Sequence, residues 1–106
     1  MKVYIAGPMA GIPNENRDAF AQRAKELVEQ GHEPVDPSDV DPSHMGDCIG
    51  RPVDHSIIHH YGCFLRAGIS ALMGCEAITF LPGWTHSVGA TTEEHVARSI
   101  GLKVLP

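Results

Sequence analysis

Long apolar runs, paired cysteines and basic clusters are all missing from this sequence of 106 residues. The longest apolar run is only a few residues, and no N-terminal stretch has signal-peptide layout, so a soluble, cytoplasmic protein with no membrane partner is expected. Cys48, Cys63 and Cys75 are odd in number and form no CxxC, which fits reduced thiols. Net charge is −5 and the basic residues are scattered, so no nucleic-acid footprint is visible. Neither a Gly-Lys-Ser/Thr phosphate loop nor a GxGxxG is present. There is no repeat and no low-complexity segment. What remains, 42% hydrophobic and 20% charged, is the composition of one globular domain over residues 1–106 with a single core.

The chain is organised around its second half. Ala77-Ile78-Thr79-Phe80 is β-branched and aromatic, and it reads as a buried strand. The glycine-broken loop Leu81 to Ala90 follows, and then a helix that reaches Ile100 and stops at Gly101. Such a βα junction is where open α/β sheets place ligands. Two adjacent glutamates in that helix differ in phase. Glu94 lies four residues before Arg98 and has capping-box spacing to Thr91, so an ordinary structural role is expected for it. Glu93 shares the apolar face of Ala90, Ala97 and Ile100. A carboxylate facing a sheet is costly unless something nearby needs it, so the alternatives are a rim residue capping the helix and a reactive acid.

Taken in order, Lys2 to Ala6 reads as the first strand, ending abruptly at Gly7-Pro8. The loop Gly7 to Asn14 holds two glycines and two prolines, so its backbone is both kinked and stiffened. Asn14 or Asn16 is positioned to cap the next helix, whose apolar stripe is Phe20, Ala24, Leu27 and Val28 and whose stop is Gly31. Glu33-Pro34-Val35 is a minimal strand, and its proline argues for a sheet edge. Residues 36 to about 56 are rich in proline and aspartate with little periodicity, and with the residues up to 60 they read as a long loop or lid. Leu65, Ile69, Leu72 and Met73 mark a second helix ending near Gly74, with Gly68 inside it at a cost of roughly 1 kcal/mol. Lys103-Val104-Leu105 is the last strand.

The order βαβ, loop, αβαβ predicts a small, doubly wound, mainly parallel α/β sheet, Rossmann- or flavodoxin-like, with strand order 2-1-3-4 and helices on both faces. The switch point lies between the first and third strands, so loops 7–14 and 82–90 face each other. Tyr4, Gly7, Ser87, Gly89 and Glu93 are then expected around one crevice. Backbone N–H groups and a helix N-terminus there suit an anion such as phosphate.

Tyr4-Ile5-Ala6-Gly7-Pro8, with Ser87-x-Gly89-Ala90-x-x-Glu93-x-x-x-Ala97 and Gly101, resembles the nucleoside 2-deoxyribosyltransferase superfamily. The fuller string Ala6-Gly7-Pro8-Met9-x-Gly11-Ile12-Pro13-x-x-Asn16, with Leu81-Pro82-Gly83-Trp84, is similar to the small phage and bacterial branch known as domain-of-unknown-function family 4406. The resemblance covers most of the chain and leaves the 36–60 loop uncovered. It implies an N-glycosidase or deoxyribosyltransferase acting on 2-deoxynucleosides or their 5′-monophosphates, with Glu93 as nucleophile and Tyr4 orienting it. Gly7, Pro8, Met9, Gly11, Ser87 and Gly89 are implied as substrate contacts, and a homodimer as the form that closes the site. The logic is that of retaining glycosidases, in which one carboxylate attacks and a second group handles the leaving-group proton. One departure stands out. Relatives carry an aspartate, assigned to sugar binding and proton handling, eight residues before the acid that opens the third strand; counting back from Glu76, this chain has Gly68. His59, His60 and Asp54 are candidate substitutes, and Arg17, Arg51 and Arg66 are candidates for the phosphate-binding arginine that the first loop lacks.

Competing readings are blander. His55, His59, His60, Cys48 and Cys63 lie close in sequence, but there is no HExxH and no second cluster with ligand spacing, so no metal and no cofactor is expected. Trp84 packs on neighbouring loops or a partner more often than on a base. Met9 and Met45 serve as gap-fillers. Besides the enzyme, two alternatives stand: a nucleotide-binding module that has lost catalysis at Gly68, and an interaction protein using the Trp84 loop.

Overall fold

The computed structural model describes residues 1–9, 12–37 and 61–106. In chain order it comprises β1 (Lys2–Ala6), a 3-10 turn (Pro13–Asn16), α1 (Arg17–Glu29), β2 (Glu33–Val35), α2 (Tyr61–Met73), β3 (Ala77–Phe80), a second 3-10 turn (Trp84–His86), α3 (Val88–Ser99) and β4 (Lys103–Val104). The four strands form one parallel sheet of order β2-β1-β3-β4, as the alternation of elements predicts. β1 is central. Tyr4 is in register with Val35 on one side and Ile78 on the other.

The two-residue alternation of β1 splits the core into two layers. Val3 and Ile5 face α1 and join Phe20, Leu27, Ala77 and Leu81. Tyr4 and Ala6 face α2 and α3 and join Leu72, Ile78, Ala90 and Ala97. Central strands buried on both sides carry almost no polar side chains, and the two exceptions, Tyr4 and Thr79, each have a partner. Thr79 accepts a hydrogen bond from the Arg23 guanidinium at 3.0 Å on the α1 side. Tyr4 donates to Glu93 on the other.

Several local expectations are corrected. Asn16 stands at the N-terminus of α1 in a left-handed conformation (φ 62°), but its side chain does not cap the helix. Its amide donates to the Pro8 carbonyl at 2.9 Å and braces the first loop instead. Val28, Met73 and Ile100 lie at element ends and are more than half exposed, so the apolar stripes are narrower than their spacing implies. The capping box from Thr91 to Glu94 does not form, because α3 begins earlier. Ser87 is the cap, its Oγ accepting from the Ala90 N–H at 3.2 Å, and the Thr91 hydroxyl donates back to the Ser87 carbonyl at 2.9 Å. Glu94 does pair with Arg98 on the exposed face. Gly31, at φ +86°, ends α1, and the His32 N–H returns to the Leu27 carbonyl at 2.8 Å. Among the described residues, no helix is long and apolar enough to cross a membrane.

Candidate functional site

The chain reverses its direction of sheet growth between β1 and β3, and the loops leaving those two strands part from each other there. A cavity of about 420 Å³ opens at that point, within the size range of small-molecule sites. Its first wall is the end of β1 and the loop after it, through Tyr4, Gly7, Pro8 and Met9. The second is the turn into α3, through His86, Ser87 and Val88, with Glu93 further along the helix. Leu65 and Gly68 of α2 close the third side, and Pro37 the rim.

Glu93 is the buried carboxyl of this lining. Its side chain is 7% exposed, and Tyr4, fully buried, donates its hydroxyl to Oε2. Burial pushes the carboxyl from its ordinary 4.5 up to about 7, while the Tyr4 hydrogen bond pulls in the opposite direction. Burial first, and then the neighbouring carboxylate, raise the Tyr4 phenol far above its ordinary range, so it stays a protonated donor at any physiological pH. A buried acid poised to change charge near neutrality, held by one donor at a cavity wall, is an arrangement suited to nucleophilic or acid–base work.

The other expected residues divide. Gly7, Pro8, Met9 and Ser87 line the cavity with Tyr4 and Glu93. Gly89 does not; it lies in the first turn of α3, outside the cavity lining. Gly7 is explained by packing rather than by ligand approach, since a Cβ there would stand 2.8 Å from Leu81. Ser87 has a cap to hold as well as a place in the wall. Trp84 stacks on Phe80, with ring centroids 4.4 Å apart, and so is bound into the scaffold. Gly11, Asp54, His59, His60, Arg51, Cys48, His55 and Met45 lie outside the described residues, as does the 38–60 part of the long loop. Arg66 is exposed on α2 and is not part of the cavity lining. Cys75 is a buried free thiol under the same sheet face.

His86 went unnoticed in the sequence and lines the cavity beside the α3 cap. With Tyr4 and Glu93 it completes the titratable side chains among the described lining residues. The clue was its place directly before Ser87, at a helix start already marked as a ligand-facing turn.

The family described as domain of unknown function DUF4406 matches the chain over residues 1–106. The chain belongs to that family. No curated protein matches it. The string Ala6-Gly7-Pro8-Met9 of this DUF4406 chain thus forms one wall of the cavity from Gly7 onward, and Ser87 and Glu93 form the opposing one.

Proposed function

We propose that this DUF4406 chain is a member of the nucleoside 2-deoxyribosyltransferase superfamily that cleaves the base–sugar bond of 2-deoxynucleosides or their 5′-monophosphates. The observation that carries the reading is the buried Glu93 carboxyl, held by Tyr4 at the wall of a cavity between the two switch-point loops. In the ionised form a Glu93 oxygen bonds to the anomeric carbon as the carbon–nitrogen bond breaks. The base leaves with that electron pair and takes up a proton. Water, or a second base, then attacks the same carbon and frees the carboxylate. Tyr4 keeps one oxygen occupied and aims the other. His86 is the cavity's imidazole among the described residues and is suited to supplying the leaving-group proton. The N-terminus of α3, at Ser87 and Val88, is suited to the 5′ side of an anionic substrate. A homodimer closing the cavity's open side belongs to the same reading.

The test is chromatographic. The protein is incubated with each deoxynucleoside and deoxynucleoside monophosphate, with and without an acceptor base, beside Glu93→Ala. Free base or exchanged nucleoside from the wild type alone is expected. No product from any substrate, together with nucleotide-dependent thermal shifts that survive in the variant, would replace the enzyme with a nucleotide-binding module.

A further inference from the structure

Gly68 sits in the interior of α2, a thirteen-residue helix, where glycine is a poor choice on propensity alone. The backbone there turns directly onto the Glu93–Tyr4 pair. A Cβ on Gly68 would stand 2.6 Å from Glu93 Oε2 and 2.8 Å from the Tyr4 hydroxyl oxygen, closer than carbon and oxygen can approach. Both oxygens belong to buried side chains, so room for a Cβ is made only by displacing the pair, the Glu93 carboxyl giving way towards the cavity it lines.

We propose that Gly68 is a positioning residue for Glu93: its bare backbone is the wall against which the carboxyl and the Tyr4 hydroxyl are pressed together. Three elements then define the carboxyl. Its own helix α3 brings it under the sheet, β1 supplies the donor, and α2 supplies a surface with no side chain. Glycine at this position is thus a requirement of the pair rather than a vacancy beside it. A side chain at position 68 displaces the pair instead of joining it, so Gly68→Asp does not create a working carboxylate couple in this chain. The consequence for turnover rests on the glycosidase reading; the structural claim does not.

The test is Gly68→Ala in two backgrounds, wild type and Glu93→Ala, with thermal melting and a carboxyl-carbon NMR titration of Glu93. Alanine at an unobstructed helix position raises Tm. Here it is expected to lower Tm in the wild type, and to lower it less, or raise it, once Glu93 is truncated. The Glu93 carboxyl, pushed from Tyr4 towards the cavity and water, loses burial, the larger influence, along with the hydrogen bond that opposes it, so it is expected to titrate below about 7. The groups facing that carboxyl and its partner are Tyr4 itself, His86 across the cavity, and Asp36 and Cys75 acting on Tyr4, and none of them is altered by the substitution. A raised Tm with an unchanged Glu93 midpoint would overturn the proposal, and so would an equal loss of Tm in both backgrounds. If Gly68→Ala alone does not fold, a folded Gly68→Ala/Glu93→Ala protein supports the proposal and an unfolded one sinks it. Absence of base release by the wild type counts against the enzymatic reading and leaves these arms intact.

Discussion

The two faces of the sheet each bury one polar side chain, and they satisfy it in opposite ways. On the α1 face, Thr79 is met by Arg23, whose guanidinium also reaches Glu26 at 2.8 Å and the Pro106 carbonyl. The Arg23 charge is paired with the exposed Glu26 carboxylate, so no lone charge is left against the sheet. On the α2/α3 face, Tyr4 is met by a carboxyl that is itself buried and opens only onto the cavity. That second arrangement is expensive: it pushes Glu93 up to about 7 and puts a glycine in a helix interior. A neutral partner for Tyr4 would stabilise the fold better. The face with the costly solution is the face with a cavity, and that difference is the physical case for chemistry there.

The largest expected contrast is in turnover. Glu93→Gln keeps the shape and a hydrogen-bond acceptor for Tyr4 but removes the nucleophile, so base release falls by at least about 10³-fold. On the glycosidase reading, wild-type turnover is expected to rise with pH through about 7, as the carboxyl ionises. Stability moves the other way. A carboxyl whose folded pKa lies above its unfolded value contributes stability fully below about 4.5, and that contribution is lost as pH rises through about 7. Glu93→Gln therefore melts above the wild type at pH 8, with the gap closing towards pH 5. A gap that does not change with pH would mean that the carboxyl is not buried in solution.

Tyr4→Phe comes next. It leaves a buried carboxylate without its donor and costs about 1.5–3 kcal/mol at pH 8, where Glu93 is charged. The tyrosine hydrogen bond is the influence that lowers Glu93, so the midpoint of the activity profile moves upward in the variant. Unchanged melting together with an unchanged midpoint would dissolve the pair.

On the opposite face, Thr79→Val removes a hydroxyl whose partner retains Glu26 and the Pro106 carbonyl. About 1 kcal/mol of stability is expected to go, with turnover unaffected. A shift of the activity midpoint like that of Tyr4→Phe would show that the two faces act on one site.

Much of this was legible from spacing alone. Helical phase separated Glu93 from Glu94, and the structure puts the first under the sheet and the second in an exposed pair with Arg98. The strand order followed from element alternation, and Pro34 marked the edge strand correctly. What escaped was tertiary. Residue types do not show that Asn16 reaches back to Pro8, that α3 begins at Val88 under Ser87, or that His86 borders the cavity. Gly68 was visible as a departure from the pattern that the sequence otherwise resembles, but its reason required two other elements in place: a missing side chain has no pattern of its own, and only the atoms around it say what it makes room for.

The smallest expected effect separates two roles of Ser87, which both caps α3 and borders the cavity. Ser87→Ala removes the cap and costs about 1 kcal/mol, a change that melting would register whatever the protein binds. Ser87→Asp keeps the cap, because aspartate accepts from the same N–H groups about as well as serine. It also places a negative charge where an anionic 5′ group would approach the helix N-terminus. Melting of Ser87→Asp should therefore match the wild type, while KM for a deoxynucleoside monophosphate rises several-fold and KM for the uncharged nucleoside changes little. Equal rises for both substrates would place the anion elsewhere in the cavity and leave Ser87 as a cap alone.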